Sequence, residues 1–191
     1  MKQIKTVILS SFTLLILSAC DTGKESKVNN LLDVPTISSN FKNQYLNAIN
    51  QARKESQDCG TYGDFSAAPL LTWNEKLYNS AYAHSKDMAT TNTFSHAGSG
   101  QASDEVGVSL GRGSSAGERI SFYGYKWSRY AENIGAGTDI DSAEEIVLQL
   151  MNSDGHCANI MNPLFTEVGM AMVKNSNTDY VHYWTQNFGR P

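Results

Sequence analysis

"EVGMAMVK", Glu167–Lys174, is the stretch on which the fold turns. Val168, Met170 and Met172 alternate with Gly169, Ala171 and Val173, the period of a strand with two different faces. Six residues on, "YVHYWTQNFG" (Tyr180–Gly189) is rich in aromatic and β-branched residues and reads as a second strand. "NSNTD" between them suits a hairpin loop, so the C-terminal third is expected to be an antiparallel pair.

Upstream of that pair the period changes to helical. From about Phe41 to Ser56, Tyr45, Ile49 and Ala52 share a face with Leu46 beside them, and Ser39 or Asn40 can cap the start. "DCGTYGDFSAAPLLTWN" (Asp58–Asn74), with two glycines and a proline, is a loop. Asn74 caps a second helix whose apolar face runs Leu77, Ala81, His84, Met88. His84 is therefore read as a core histidine with a hydrogen-bond partner, not as a ligand. Ser142 with Glu145 three residues on is a capping box for a third helix carrying Ile146, Val147 and Leu150, expected to stop near Asp154–Gly155. Between the second and third helices, Thr93–Gly137 is rich in Gly and Ser and shows no sustained period beyond one helical turn at Arg119–Tyr123. A segment of that kind inside a domain is usually either a functional loop or a sign that elements in it have been missed. Helices first and an antiparallel hairpin last give an α+β chain or an α/β/α layering.

The N-terminus sets the compartment. "MKQIKTVILSSFTLLILSAC" has two lysines, an apolar run too short for a stable membrane span, and Leu17-Ser18-Ala19-Cys20 at its end. Residues 1–19 are expected to be a signal peptide. Cys20 resembles the lipidated cysteine of a bacterial lipobox, an anchor that holds a protein to a membrane without spanning it. Residues 20–40 are read as a flexible tether and 41–191 as the domain, exported to the periplasm or the cell surface. In a Gram-negative host, Asp21 after that cysteine would resemble an inner-membrane retention signal. The formal charge is −4, and −6 once a signal with two lysines and no acid is removed, so lipid and not charge would hold the protein to an anionic surface. No Lys/Arg block is present, which speaks against nucleic acid as a partner.

Four histidines carry the available chemistry: His84, His96, His156 and His182. His96 and His156 fall in stretches read as irregular, where a scaffold can present them into a cleft. Two converging imidazoles could hold a divalent metal such as zinc, weakly, with Glu132 of "AENIGAG" as the carboxylate that fixes a ring's tautomer. With Cys20 set aside, Cys59 and Cys157 are the two remaining thiols, and in an oxidising compartment a Cys59–Cys157 disulfide is their simplest use. Sequence neighbours seldom form a Cys–His catalytic couple, so Cys157 next to His156 is not taken as a nucleophile.

"PLLTWNEKLYNSAYAHSKDMATTNTFSHAG", "RISFYGYKWSRYAENIGAG", "EEIVLQLMNSDGHCANIMNPLFTEVGMAM" and "YWTQNFG" together resemble the CAP superfamily of cysteine-rich secretory proteins, antigen 5 and pathogenesis-related proteins, in its bacterial SCP-like branch. The resemblance runs from about Phe41 to Gly189 with the motifs in family order. It implies a three-layer α/β/α sandwich with a central antiparallel sheet and a central cavity, which in the eukaryotic members carries two His and two Glu. His96 in "FSH" matches the first His, Glu132 in "AENI" the first Glu, and His156 in "GHCANI" the second His. The second Glu falls near Ser153 and is absent, Leu150 stands where the family often has Trp, and Asp154 where bacterial members often have Pro. What remains is a triad in which His156 should face His96 with Glu132 bonded to one ring.

Three readings stay open at this point. One is an anchored envelope protein that binds a small molecule, lipid, cell-wall component or partner in the cavity. The second is a metal-dependent hydrolase of peptide or peptidoglycan, with Glu132 as general base to water held by His96 and His156. The third is a structural protein whose triad braces the cleft.

Overall fold

The computed structural model describes residues 33–191; the signal segment, Cys20 and the tether up to Leu32 lie outside the described residues. Helix α1 spans Ser39–Arg53, starting two residues before the expected Phe41 because Ser38 Oγ accepts from Phe41 N. The expected tether is thereby shortened. Val34 and Ile37 already pack beside Tyr78, whose hydroxyl donates to Pro35 O at 2.8 Å. Helix α2, Glu75–Thr91, starts where Asn74 was expected to cap it, with Asn74 Oδ1 accepting from Lys76 N and Leu77 N.

The sheet has four strands: β3 (Thr72–Trp73), β4 (Arg129–Gly137), β5 (Glu167–Lys174) and β6 (His182–Arg190), in the order β3-β5-β6-β4. β5 and β6 form the expected antiparallel hairpin, and β4 pairs antiparallel with β6, Glu132 opposite Asn187. The two-residue β3 runs parallel to β5, so the expected antiparallel sheet is mixed at that edge. The hairpin loop is also two residues longer than expected: Tyr180 and Val181 belong to it, Val181 with φ 65°. A separate two-stranded ribbon joins β1 (Gln57–Asp58) and β2 (Asp64–Phe65) around a 3-10 turn at Gly60–Tyr62.

The alternation of β5 is used as the sequence suggests. Val168, Met170 and Met172 face one helical layer: α1, α5 (Ala143–Met151) and α6 (Asp154–Met161). Ala171 and Val173 face α2. At Gly169 a Cβ would overlap the backbone of Leu77 and Tyr78, so the glycine lets the start of α2 lie directly on the sheet. Two short helices, α3 (Glu105–Leu110) and α4 (Ala116–Phe122), sit on the α2 side. Three layers result, as expected of an α/β/α sandwich.

The long segment Thr93–Gly137 is not an irregular loop. It holds α3, α4 and the nine residues of β4. Ala131, Gly135, Ala136 and Gly137 in "RYAENIGAG" hide the strand, because small residues give little hydropathic alternation. Arg53 is a second departure. Its guanidinium is fully buried at the end of α1 and donates to the carbonyls of Pro69, Ile160, Asn162 and Phe165, which ties α1 to the turn after α6.

Candidate functional site

Neighbouring residues of a strand point to opposite faces, and "AENI" uses this at the outer strand of the sheet. Glu132 points to the α2 layer, and Asn133 to the α6 layer. The Oε1 of Glu132 accepts from His96 Nδ1 at 3.0 Å and its Oε2 from Arg119 at 2.7 Å. The carboxylate can only accept, so His96 carries its proton on Nδ1 there. Burial opposes the charge of Glu132. The His96 hydrogen bond and the Arg119 charge outweigh that burial and hold the carboxyl below its ordinary range.

Arg119, buried on α4, is a counter-ion that no pattern in the sequence singles out. It also donates to Ser114 O, Ser114 Oγ and His96 O, so it fixes the backbone of His96 as well as the carboxylate. His84 completes the inner wall. Its Nε2 donates to Ser95 O at 2.9 Å and lies 3.9 Å from Glu132 Oε1. It is a buried core histidine with a backbone partner, as expected, and also part of the cluster, which was not. Burial chiefly, and then the Arg119 charge, lower its pKa to about 4, so it is neutral at pH 7.

Asn133, with no exposure, serves the other layer. Its Nδ2 donates to Gln186 Oε1 at 2.7 Å and to the carbonyl of His156 at 3.2 Å, and Asn159 donates to its Oδ1. His156 is therefore held through its backbone, from a helix. The expectation that the third helix would end at Gly155 and release His156 into a loop is overturned. Helix α5 ends at Met151, a new helix starts after Ser153, and Gly155 and His156 lie in its first turn. Asp154 favours that start: a carboxylate in a first turn suits the helix dipole, and here it accepts from Thr61 N and Oγ1, both at 2.9 Å. Cys157 follows on the buried face and bridges to Cys59, as expected, with Cα atoms 5.5 Å apart. His156 is half-buried; burial first, then the charge of His96, lower its pKa. His96 is more open, its side chain 58% exposed.

A cleft of about 240 Å³ runs along β4 between these layers. Phe94, Ile134 and Leu150 give it apolar walls, and Gln149, Ser153 and His156 its polar ones. Ser153, where the resemblance placed the absent Glu, lines it directly. A larger groove of about 550 Å³ lies between α3, α4, Trp127 and Tyr130. Its one acid, Glu118, is already engaged by Arg112 and Ser115, so the smaller cleft is where free polar groups converge.

The residues do not fit a tightly held metal. Among the described residues no group of three or more His, Cys, Asp or Glu side chains is placed to hold one. Both oxygens of Glu132 are committed to cationic or N–H donors, which leaves two imidazole nitrogens, and structural or catalytic zinc takes three or four protein ligands.

Known proteins share this architecture. The family model for the cysteine-rich secretory protein family (CAP) matches residues 46–188. The chain is 28% identical over 162 residues to the uncharacterized protein YkwD of Bacillus subtilis (strain 168), covering 85% of this chain and 52% of that protein. It thus spans about half the length of this curated relative. Among solved structures, an extracellular protein containing a SCP domain from Bacillus anthracis str. Ames aligns with a TM-score of 0.50 at 23% identity, over 83% of this chain and 45% of that one. An outer surface protein from Borrelia burgdorferi aligns with a TM-score of 0.50 at 16% identity, over 64% of this chain and 79% of that one.

Proposed function

Because the chain belongs to the cysteine-rich secretory protein (CAP) family, we propose that it is an exported, lipid-tethered envelope protein that uses the β4 cleft to bind an extended, amide-bearing ligand without chemically altering it. The observation that carries this reading is the cleft itself. It lies along the outer strand of the sheet and combines apolar Phe94 and Leu150 with Gln149, Ser153 and His156. An outer strand offers backbone N–H and C=O groups to an extended chain, with neighbouring pockets for alternate side chains. Peptides, including those of a cell wall, have that chemistry.

Glu132 is poorly suited to general-base work. A carboxyl held below its ordinary pKa by Arg119 and His96 is a weak base, and efficient catalysis wants a pKa near the working pH. We therefore assign Glu132 to bracing: it joins β4 to α4 and to the His96 loop. Contact of a divalent cation with His96 and His156 would be weak and reversible, and would weaken further below pH ~6.5, where histidine protonates. Binding through Cys20 to the membrane completes the reading, and no helix among the described residues is long and apolar enough to cross one.

Titration calorimetry of the purified protein with soluble peptidoglycan peptides tests the cleft. Phe94→Ala and His156→Ala should each weaken binding about tenfold or more, the loss of one buried contact of ~1.4 kcal/mol. Binding that both variants leave unchanged places the ligand elsewhere. Cys20→Ala should move the protein from the membrane to the soluble fraction, and a variant that still fractionates with the membrane ends the anchor reading.

A further inference from the structure

Six buried side-chain nitrogen or oxygen atoms have no hydrogen-bond partner among the described residues, and four of them belong to residues that line one small cavity between α2, α3 and α4. They are His84 Nδ1, Glu105 Oε2, Arg119 Nε and Tyr123 Oη. The other acids on the cavity wall are already satisfied. Asp87 accepts from Ser99 and Ser103, and Asp104 from Gly100, Gly107 and Ser114. Buried polar groups are almost always paired, so four open groups around one space point to a shared partner.

The roles of the four follow from chemistry. His84 gives its Nε2 proton to Ser95 O, so its Nδ1 holds a lone pair and accepts. A Glu105 carboxylate oxygen accepts. Arg119 Nε–H donates. Burial first, then the Glu105 charge, push the Tyr123 phenol well above its ordinary pKa, so it keeps its proton and can donate. Two acceptors and two donors are the complement of one water molecule. The cavity leaves about 10 Å³ for the centre of a water, the space of a single molecule. A cation is disfavoured, since the Arg119 guanidinium is part of the wall.

We propose that one internal water occupies this cavity, donating to His84 Nδ1 and Glu105 Oε2 and accepting from Arg119 Nε and Tyr123 Oη. The water completes the donor set of Arg119. The two terminal nitrogens already serve Ser114, His96 and Glu132, and the water takes the remaining N–H. It is thus a positioning element for the Glu132 ion pair, and it links α3 to that centre through Glu105. This inference is independent of what the β4 cleft binds.

A crystal structure of the protein at ordinary high resolution reads the site directly. One solvent peak within hydrogen-bond distance of all four atoms is expected. No peak, a peak touching fewer than three of them, or direct pairing of the four with one another overturns the proposal. In solution, nitrogen NMR of His84 should find Nδ1 unprotonated at pH 7, and a protonated Nδ1 overturns it. Water relaxation dispersion should detect a long-lived water. Its residence should fall about fivefold in Tyr123→Phe, the loss of one hydrogen bond of ~1 kcal/mol. If residence is unchanged, Tyr123 is not a partner and the four-partner site fails; if Tyr123→Phe does not fold, the crystal and nitrogen measurements still decide.

Discussion

Removing the Cys59–Cys157 bridge should destabilise this domain more than any single surface change. The half-cystines are 98 residues apart, and cross-linking a loop of that length removes chain entropy equivalent to about 4.7 kcal/mol. Measured disulfide contributions fall more often at about 2–4 kcal/mol, since strain and residual unfolded structure offset part of the entropy. Both cysteines are 1% exposed inside the main core, so Cys59→Ala with Cys157→Ala also leaves a small void, costing about 1 kcal/mol. The double variant should therefore lose about 3–5 kcal/mol, or roughly 10–15 °C in Tm for a domain of this size. Urea unfolding of wild type, reduced wild type and double variant separates the terms. The reduced protein shows the cross-link alone, and the variant adds the void. Hydrogen exchange should show the loss first in α6, because the bridge and the Asp154–Thr61 bonds are what tie its N-terminus to the Gly60–Tyr62 turn. A double variant within about 1 kcal/mol of wild type would refute the reasoning.

Two further predictions bear on the α2 layer. His84 has a folded pKa of about 4 against an ordinary value near 6.5, so the unfolded chain binds the extra proton first; stability is full above pH 6.5, declines as pH falls towards 4, and loses about 3 kcal/mol over that window. Urea midpoints measured from pH ~7.5 to ~4 should follow that slope, flattened in His84→Gln, and an unchanged slope in the variant assigns the effect to other groups. Gly169→Ala should cost about 3 kcal/mol, since its Cβ would meet backbone of α2 that cannot rotate away; a thermal melt matching wild type would show that α2 can shift on the sheet.

What was legible in the sequence tracks what is periodic or chemically singular. The faces of β5 were readable because Val168, Met170 and Met172 are large and alternate strictly, and the sheet uses them in that register. The caps at Asn74 and Ser142 were readable because a side-chain oxygen at a helix start has a specific donor to satisfy. Strand β4 was not. Its alternation is carried by Glu132, Asn133 and small residues, whose burial is offset by ion pairs and amide bonds that exist only after folding. The same holds for α6. Gly155 argues for a helix stop when taken locally. The competing interactions, Asp154 on Thr61 and Cys157 on Cys59, come from a segment distant in the chain.

The site divides in the same way. Residue type and family resemblance picked out His96, Glu132 and His156; in the structure Glu132 on β4 pairs with His96, while of the three only His156 lines the cleft. They could not indicate that Glu132 is neutralised by Arg119, because nothing in "GERISF" distinguishes that arginine from a solvated one. This partner changes the chemistry more than the missing second Glu does. A buried carboxylate shared by a guanidinium and an imidazole is fixed and weakly basic, and both its oxygens already face N–H donors. Replacing Arg119 by Met is the perturbation that exposes the difference. It would leave a buried carboxylate with one partner, a change that commonly costs about 3–5 kcal/mol, and Glu132 should then take up a proton at a higher pH. If Arg119→Met instead melts like wild type, the ion pair does not brace the cleft, and Glu132 is free for a role of another kind.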